Sequence, residues 1–248
     1  MTVVRDIVAC DSRWSIDRTD DNDVWTFAIY VDHAEFEKIV LFRHKVLFVF
    51  AGCGVEIQAW KDWISNGIKE KRPTPNNLAV CIITAVTGEL IFEHGQVVSD
   101  DVIKITGSGA SFAYSCYEDN SCAVTAIDSA KSKDCFSGGS VKYFDIGNQV
   151  SMLSVDNIRI DQVSNLIAKE GMVVYKNHHD LEKCNASLKS SPVPVSLAAA
   201  NDSEVEVAVS KIVAGKANAR APFNSGNHVW HQDKLKELDD AIDLIRSM

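Results

Sequence analysis

Asp134-Cys-Phe-Ser137-Gly-Gly139 is the most informative stretch of the chain. An aspartate, a serine and two adjoining glycines within six residues are a turn signature, because these types bond their own backbone or tolerate positive φ. The turn leads into Ser140–Ile146, which reads as a strand. Taken alone, Asp-x-x-Ser-Gly-Gly is an ordinary polar turn, so its weight comes from what surrounds it. Immediately upstream, Ser111–Glu118 and Cys122–Lys131 read as two helices, the second with Val124, Ile127 and Ala130 on its inner face. Before them a strand beginning at Ile103 ends in a glycine-flanked serine, Gly107-Ser108-Gly109. That serine is not part of a phosphate loop, which would end in Gly-Lys-Ser/Thr.

Further out, hairpins dominate. Leu78–Ile83 and Glu89–Glu93 flank Thr84–Gly88, and Lys38–Phe42 and Val46–Phe50 flank a tight turn at Arg43-His-Lys45. The second of these strands runs into Ala51-Gly-Cys-Gly54. A helix follows, with Ala59, Trp60, Trp63 and Ile64 at helical spacing and Gly67 near its end. Val24–Val31 is a strand rich in aromatic and β-branched residues, and Asp17–Asp23 before it reads as a polar surface loop. At the start, Met1-Thr-Val-Val-Arg-Asp-Ile-Val-Ala-Cys-Asp-Ser-Arg13 reads as a short hairpin that brings Asp11 back beside Thr2. Strands, a helix, strands, two helices and a strand favour antiparallel sheets with helices covering their faces, an α+β architecture.

The 248 residues suffice for one large domain, and 46% hydrophobic with 24% charged residues is the composition of a folded globular chain. A net charge of −9 argues against nucleic-acid binding, which needs a basic face. The longest strongly apolar run, Val46–Val55, is too short to span a bilayer, and the N-terminus lacks the basic start and apolar core of a signal peptide. No membrane association and a cytoplasmic location are therefore expected. Seven cysteines without a Cys-x-x-Cys pair read as small buried hydrophobes in a reducing compartment. His178, His179, His228 and His231 form two distant pairs without a zinc-site pattern, so no metal and no cofactor are expected.

Several of these motifs, in this order, resemble proteasome β-type subunits, including bacterial HslV-like and phage-encoded relatives, in the N-terminal nucleophile (Ntn) hydrolase class. The resemblance covers roughly residues 2–148. It implies an αββα sandwich of antiparallel sheets over 1–150, with 151–248 as a partly helical C-terminal extension. It also implies site residues. Thr2, exposed by removal of Met1, matches the N-terminal nucleophile, and Asp11 the aspartate closing its hairpin. Lys38 matches the catalytic lysine at a strand start, and Gly52, fourteen residues later, the glycine whose N–H forms the oxyanion hole. Ser108 matches the serine of Gly-Ser-Gly, and Asp134 and Ser137 reproduce Asp-x-x-Ser-Gly-Gly. Phe50 and Gly54 flank the Ala-Gly turn where the family binds substrate, and the ring of Phe50 suggests a shallow pocket.

The chemistry implied is acyl transfer. The threonine hydroxyl attacks an amide carbonyl, and its own α-amine, with an unperturbed pKa of ~8, accepts the proton through a water. Lys38, oriented by Asp11, favours the neutral amine by its like-signed field. An oxyanion-hole donor such as the Gly52 N–H contributes about 3–4 kcal/mol. A peptide or protein substrate, a homo-oligomeric assembly and an ATP-dependent unfoldase partner follow from the same resemblance. The chain departs from it in a shorter hairpin, whose turn Val4-Arg-Asp-Ile7 has no glycine, and in a longer Ser12–Glu37 loop. The rival expectation is a proteasome-fold protein that no longer cleaves and serves as a binding or inhibitor module of phage or immunity type.

Overall fold

Val46-Leu-Phe-Val-Phe50 is apolar at every position because the strand it forms is covered on both faces. Leu47 and Val49 point one way, into a core shared with Val8, Cys10, Cys81, Ile83 and Phe144, while Phe48 and Phe50 point the other way, towards Ile57 and Trp60. The computed structural model describes residues 2–4, 6–19, 25–99, 101–154, 158–176, 191–222 and 229–248, with the main chain alone at 2–4, 18, 19 and 25. The elements begin with β1 (Thr2–Val4), β2 (Ile7–Asp11), β3 (Trp14–Thr19), β4 (Trp25–Val31), β5 (Ile39–Phe42), β6 (Val46–Cys53) and α1 (Gly54–Ser65). Next come β7 (Leu78–Thr84), β8 (Leu90–His94), β9 (Val98–Ser99), β10 (Ile103–Ile105), α2 (Ala110–Asn120), α3 (Ala123–Lys133), β11 (Val141–Asp145) and β12 (Val150–Ser151). The chain continues as α4 (Ile160–Glu170), β13 (Met172–Tyr175), β14 (Val193–Pro194), α5 (Val195–Asn201), α6 (Ser203–Val213), β15 (Arg220–Ala221) and α7 (Gln232–Ser247).

The strands form two antiparallel sheets. The six-stranded sheet runs β12-β11-β2-β1-β10-β9; the nine-stranded sheet runs β14-β13-β4-β3-β15-β6-β7-β8, with β5 also on β6. Their facing sides share the Val8, Leu47, Cys81 and Phe144 core. On the far side of the smaller sheet, α2 and α3 bury Ala110, Ala113, Ala126, Ile127 and Ala130 against Ala9, Ile103 and Ile105. On the far side of the larger sheet, α1, α4, α6 and α7 bury Trp60, Val163, Val205 and Leu238 in one cluster. The architecture is mixed α+β, compatible with an α+β sandwich.

The polar loop expected at Asp17–Asp23 is corrected for its first residues. Strand β3 continues through Thr19, paired with β4, because Trp14 and Ile16 alternate into the core and outweigh the polar residues beyond; residues 20–24 lie outside those described. The 151–248 stretch, expected as a partly helical extension, packs into the same sheet and core. Strand β13 pairs with β4, β15 with β3 and β6, and Leu238, Ile242 and Ile245 of α7 join the Trp60 cluster. Ser190-Ser-Pro-Val-Pro194, whose serines and prolines read in the sequence as a linker, ends in β14, which pairs with β13; residue 190 and the stretch 224–227, whose glycine and asparagines read as a loop, lie outside the described residues. No helix among the described residues is long and apolar enough to cross a membrane.

Candidate active site

Two buried side chains from different sheets meet where the sheets face each other. Strand β2 ends in Asp11, and Lys38 stands directly before β5, its carbonyl accepting the Phe50 N–H at 2.9 Å. Lys38 Nζ lies 3.2 Å from both Asp11 carboxylate oxygens. Lys38 is only 4% exposed and Asp11 8%. Withdrawing such a pair from water is costly unless further hydrogen bonds support it. Here Asp11 Oδ1 also accepts the Arg13 N–H at 2.9 Å and the Gly138 N–H at 3.3 Å. Neighbouring Glu37 is tied down as well: its Oε1 accepts the Ser154 N–H, and its carbonyl accepts from Lys61 Nζ at 2.6 Å.

A second cluster is centred on Asp134, 1% exposed at the end of α3. Its Oδ2 accepts from Ser108 Oγ at 2.6 Å and Ser137 Oγ at 2.7 Å, and its Oδ1 accepts the Phe136 N–H at 3.2 Å. These short bonds to a carboxylate hold both hydroxyls in fixed orientations. Gly109 makes the approach possible, since a Cβ there would stand 2.8 Å from Ser137 Oγ and 2.9 Å from the Ala130 side chain. The Asp-x-x-Ser-Gly-Gly motif thus does two things: its aspartate fixes two serines, and its first glycine donates an N–H to Asp11.

Arg13, which the sequence reading passed over, joins the clusters. Its guanidinium donates to both carboxylate oxygens of Asp32 at 2.6 and 2.8 Å and to the Cys135 carbonyl at 2.6 Å, and it lies 3.6 Å from the centre of the Tyr30 ring. Burial opposes its charge, but the hydrogen bonds and field of Asp32 prevail and raise its pKa above the ordinary value. The guanidinium fills the space beside Gly138, where a Cβ would lie 2.3 Å away. Adjacency to Asp11 was the one available signal, because Asp32 lies nineteen residues on and no spacing rule links them.

Between the clusters lies a cleft lined by Asp11, Lys38, Phe50, Ser108, Ser137 and, from the C-terminal part, Ala221 and Pro222. It retains about 30 Å³ of water-accessible space, room for roughly two waters. Thr2 approaches through its main chain, opposite Ile105, itself a lining residue, and opposite Ala9, two positions before Asp11. Its register therefore puts the start of β1 at the Asp11 end of the sheet. Gly52 stands at the end of β6 with φ of 124°, a conformation open to glycine, paired with Leu78 on one edge and Ala221 on the other. Gly54 opens α1 and, like Gly52, is not among the lining residues. Phe50 lines the cleft while stacking on Phe48 and meeting Trp60.

Other chemistry is less supported. Burial pushes the Cys10 thiol up to about 12, so at neutral pH it stays protonated and unreactive. Among the described residues no three His, Cys, Asp or Glu side chains group as a metal site; His178, His179 and His228 lie outside them. The arrangement supplies a buried cation, two fixed hydroxyls and a strand start at one cleft. Such a set suits charge stabilisation and proton handling around a nucleophile. No protein-family model and no curated protein matches the chain.

Proposed function

We propose that the protein is a threonine-type hydrolase of the proteasome-like Ntn class, with the αββα sandwich of that class as its fold and Thr2 as nucleophile once Met1 is removed. One observation carries the reading. The Asp11–Lys38 pair and the Asp134–Ser108–Ser137 cluster, far apart in sequence, converge on a single cleft at the Asp11 end of the β1–β2 hairpin.

In this reading Thr2 Oγ attacks an amide carbonyl, forming an acyl-enzyme and releasing the amine half. Water then frees the acid half and regenerates the hydroxyl. The α-amine of Thr2 takes the proton from the hydroxyl and returns it to the leaving nitrogen. The Lys38 charge favours the neutral, proton-accepting amine, and Asp11 keeps the lysine in place. Ser108 and Ser137, held by Asp134, orient the amine and its water. The Gly52 N–H receives the oxyanion, and Phe50 and Gly54 border the substrate, once residues 219–222, which pair with Gly52 and cover Gly54, have moved aside. A peptide or protein substrate, self-assembly into a homo-oligomer, an ATP-dependent unfoldase partner and a cytoplasmic location belong to the same proposal.

A second reading, a catalytically silent binding or inhibitor module of the same fold, has one observation in its favour: Ala221 and Pro222 leave the cleft little room. Hydrolysis of fluorogenic peptides by the Met1-free protein separates the two. The hydrolase reading expects turnover that falls to background in Thr2→Ala and in Lys38→Ala, with both variants folded. Turnover that survives in Thr2→Ala would refute it.

A further inference from the structure

Strands β3 and β6 do not pair with one another; both pair with β15, which is two residues long. Arg220 stands opposite Ser15 on one side, and Arg220 and Ala221 stand opposite Cys53 and Gly52 on the other, both ladders antiparallel. The flanking main chain is also held. The Ala219 carbonyl accepts the Gly54 N–H at 3.1 Å, the Ala219 N–H donates to Ser164 Oγ at 3.2 Å, and the Pro222 carbonyl accepts the Ser108 N–H at 3.1 Å. Residues 219–222 therefore cross a slot one strand wide, extended, and end at the Gly-Ser-Gly turn of the candidate site.

The slot grips backbone more than side chain. Three of the four residues are Ala219, Ala221 and Pro222, and the exposed Arg220 meets Asp17 at 3.4 Å. Gly54 is shaped to this contact, since a Cβ there would lie 2.3 Å from the Ala219 carbonyl. Main-chain recognition between strand edges, with a side-chain preference at one position, is how sheets take up foreign peptides. The hold is also brief: β6 pairs with β7 over seven residues but with β15 over two. Upstream, Gly215 ends α6 at φ of 68° with nothing within 4 Å of where its Cβ would be, and its N–H donates to the Ile212 carbonyl at 2.9 Å.

We propose that the slot between β3 and β6 is a binding groove for an extended peptide carrying an arginine opposite Asp17, and that residues 219–222 are its internal occupant. The segment competes with incoming peptide, and because Ala221 and Pro222 also line the Lys38 cleft, it keeps the site closed. The regulatory consequence rests on the hydrolase reading; the groove itself does not.

The test uses the full chain and two displacing variants. Ala221→Pro removes an N–H from the middle of the slot, and Arg220→Glu sets a like charge against Asp17 at an exposed position. Two quantities are measured, after circular dichroism has established folding: anisotropy of a fluorescein-labelled peptide of sequence Lys216–Pro222, and the rate of covalent labelling by a peptide β-lactone. The groove predicts peptide binding at least about tenfold tighter in the variants than in the wild type, because the internal competitor is weakened. Labelling should accelerate in parallel. Tighter peptide binding with no labelling in any protein would uphold the groove and remove the hydrolase. Equal peptide binding, or none, in all three would overturn the proposal, whether or not labelling occurs. Should Ala221→Pro fail to fold, Arg220→Glu decides alone.

Discussion

Removing Lys38 leaves the Asp11 carboxylate buried with two backbone N–H donors and only the more distant field of Arg13 in place of a paired cation. Breaking a buried pair from one side typically costs about 3–5 kcal/mol, and the two remaining donors place Lys38→Ala at the lower end. Urea unfolding should register that loss; an unchanged midpoint would mean that the pair is not withdrawn from water as described. The thiols give a second residue-scale expectation. Burial pushes Cys10 and Cys81 from 9.0 up to about 12. Below pH 9 both are protonated whether the chain is folded or not. From pH 9 towards 12 the unfolded chain releases these protons and the folded chain keeps them, so stability falls as pH rises through that window. A thermal midpoint that drops steadily above pH 9 fits this; a flat profile to pH 11 does not. Cys122 goes the other way, lowered chiefly by its hydrogen bond with Thr125, and should alkylate well before Cys10 or Cys81.

At the scale of elements, α7 tests how the last hundred residues belong to the rest. Leu238 is fully buried in the cluster that holds Trp60 and Ile64, and Arg246 donates to the Ile68 and Glu70 carbonyls. Truncating such a leucine typically costs about 2–5 kcal/mol. If α7 shares one core with β6 and α1, Leu238→Ala should shift a single urea transition as a whole. An independent second transition would assign α7 to a separate unit. Amphipathic segments such as α1 and α3 were legible in the sequence because their apolar residues recur at helical spacing, and β6 and β7 because both their faces are buried. What escaped was short and held from outside. Strands β13, β14 and β15 have two to four residues each, too few for any periodicity, and exist because β4, β3 and β6 offer them partners. The site divides the same way. Asp134, Ser137 and Ser108 sit in local motifs with recognisable spacing, whereas the Arg13–Asp32 bond and the Ala221–Pro222 cover depend on contacts that only the folded chain makes.

At the scale of the whole molecule, two sheets, a charge pair between them and a strand start meet at one cleft, the place where the proposed hydrolysis would occur. The surrounding charge of −9 leaves Lys38 as an inward cation in an acidic protein, which suits a site that stabilises developing negative charge. The central claim is that Thr2, freed of Met1, is a nucleophile. Intact-mass measurement of the purified protein before and after treatment with a peptide β-lactone tests it most directly, because ring opening on the hydroxyl adds the entire mass of the probe. The expected result is a chain that starts at Thr2, gains one probe equivalent mapped to that residue, and gains none in Thr2→Ala; a chain that keeps Met1 and gains no mass, in the wild type and in the displacing variants alike, would contradict the assignment of Thr2.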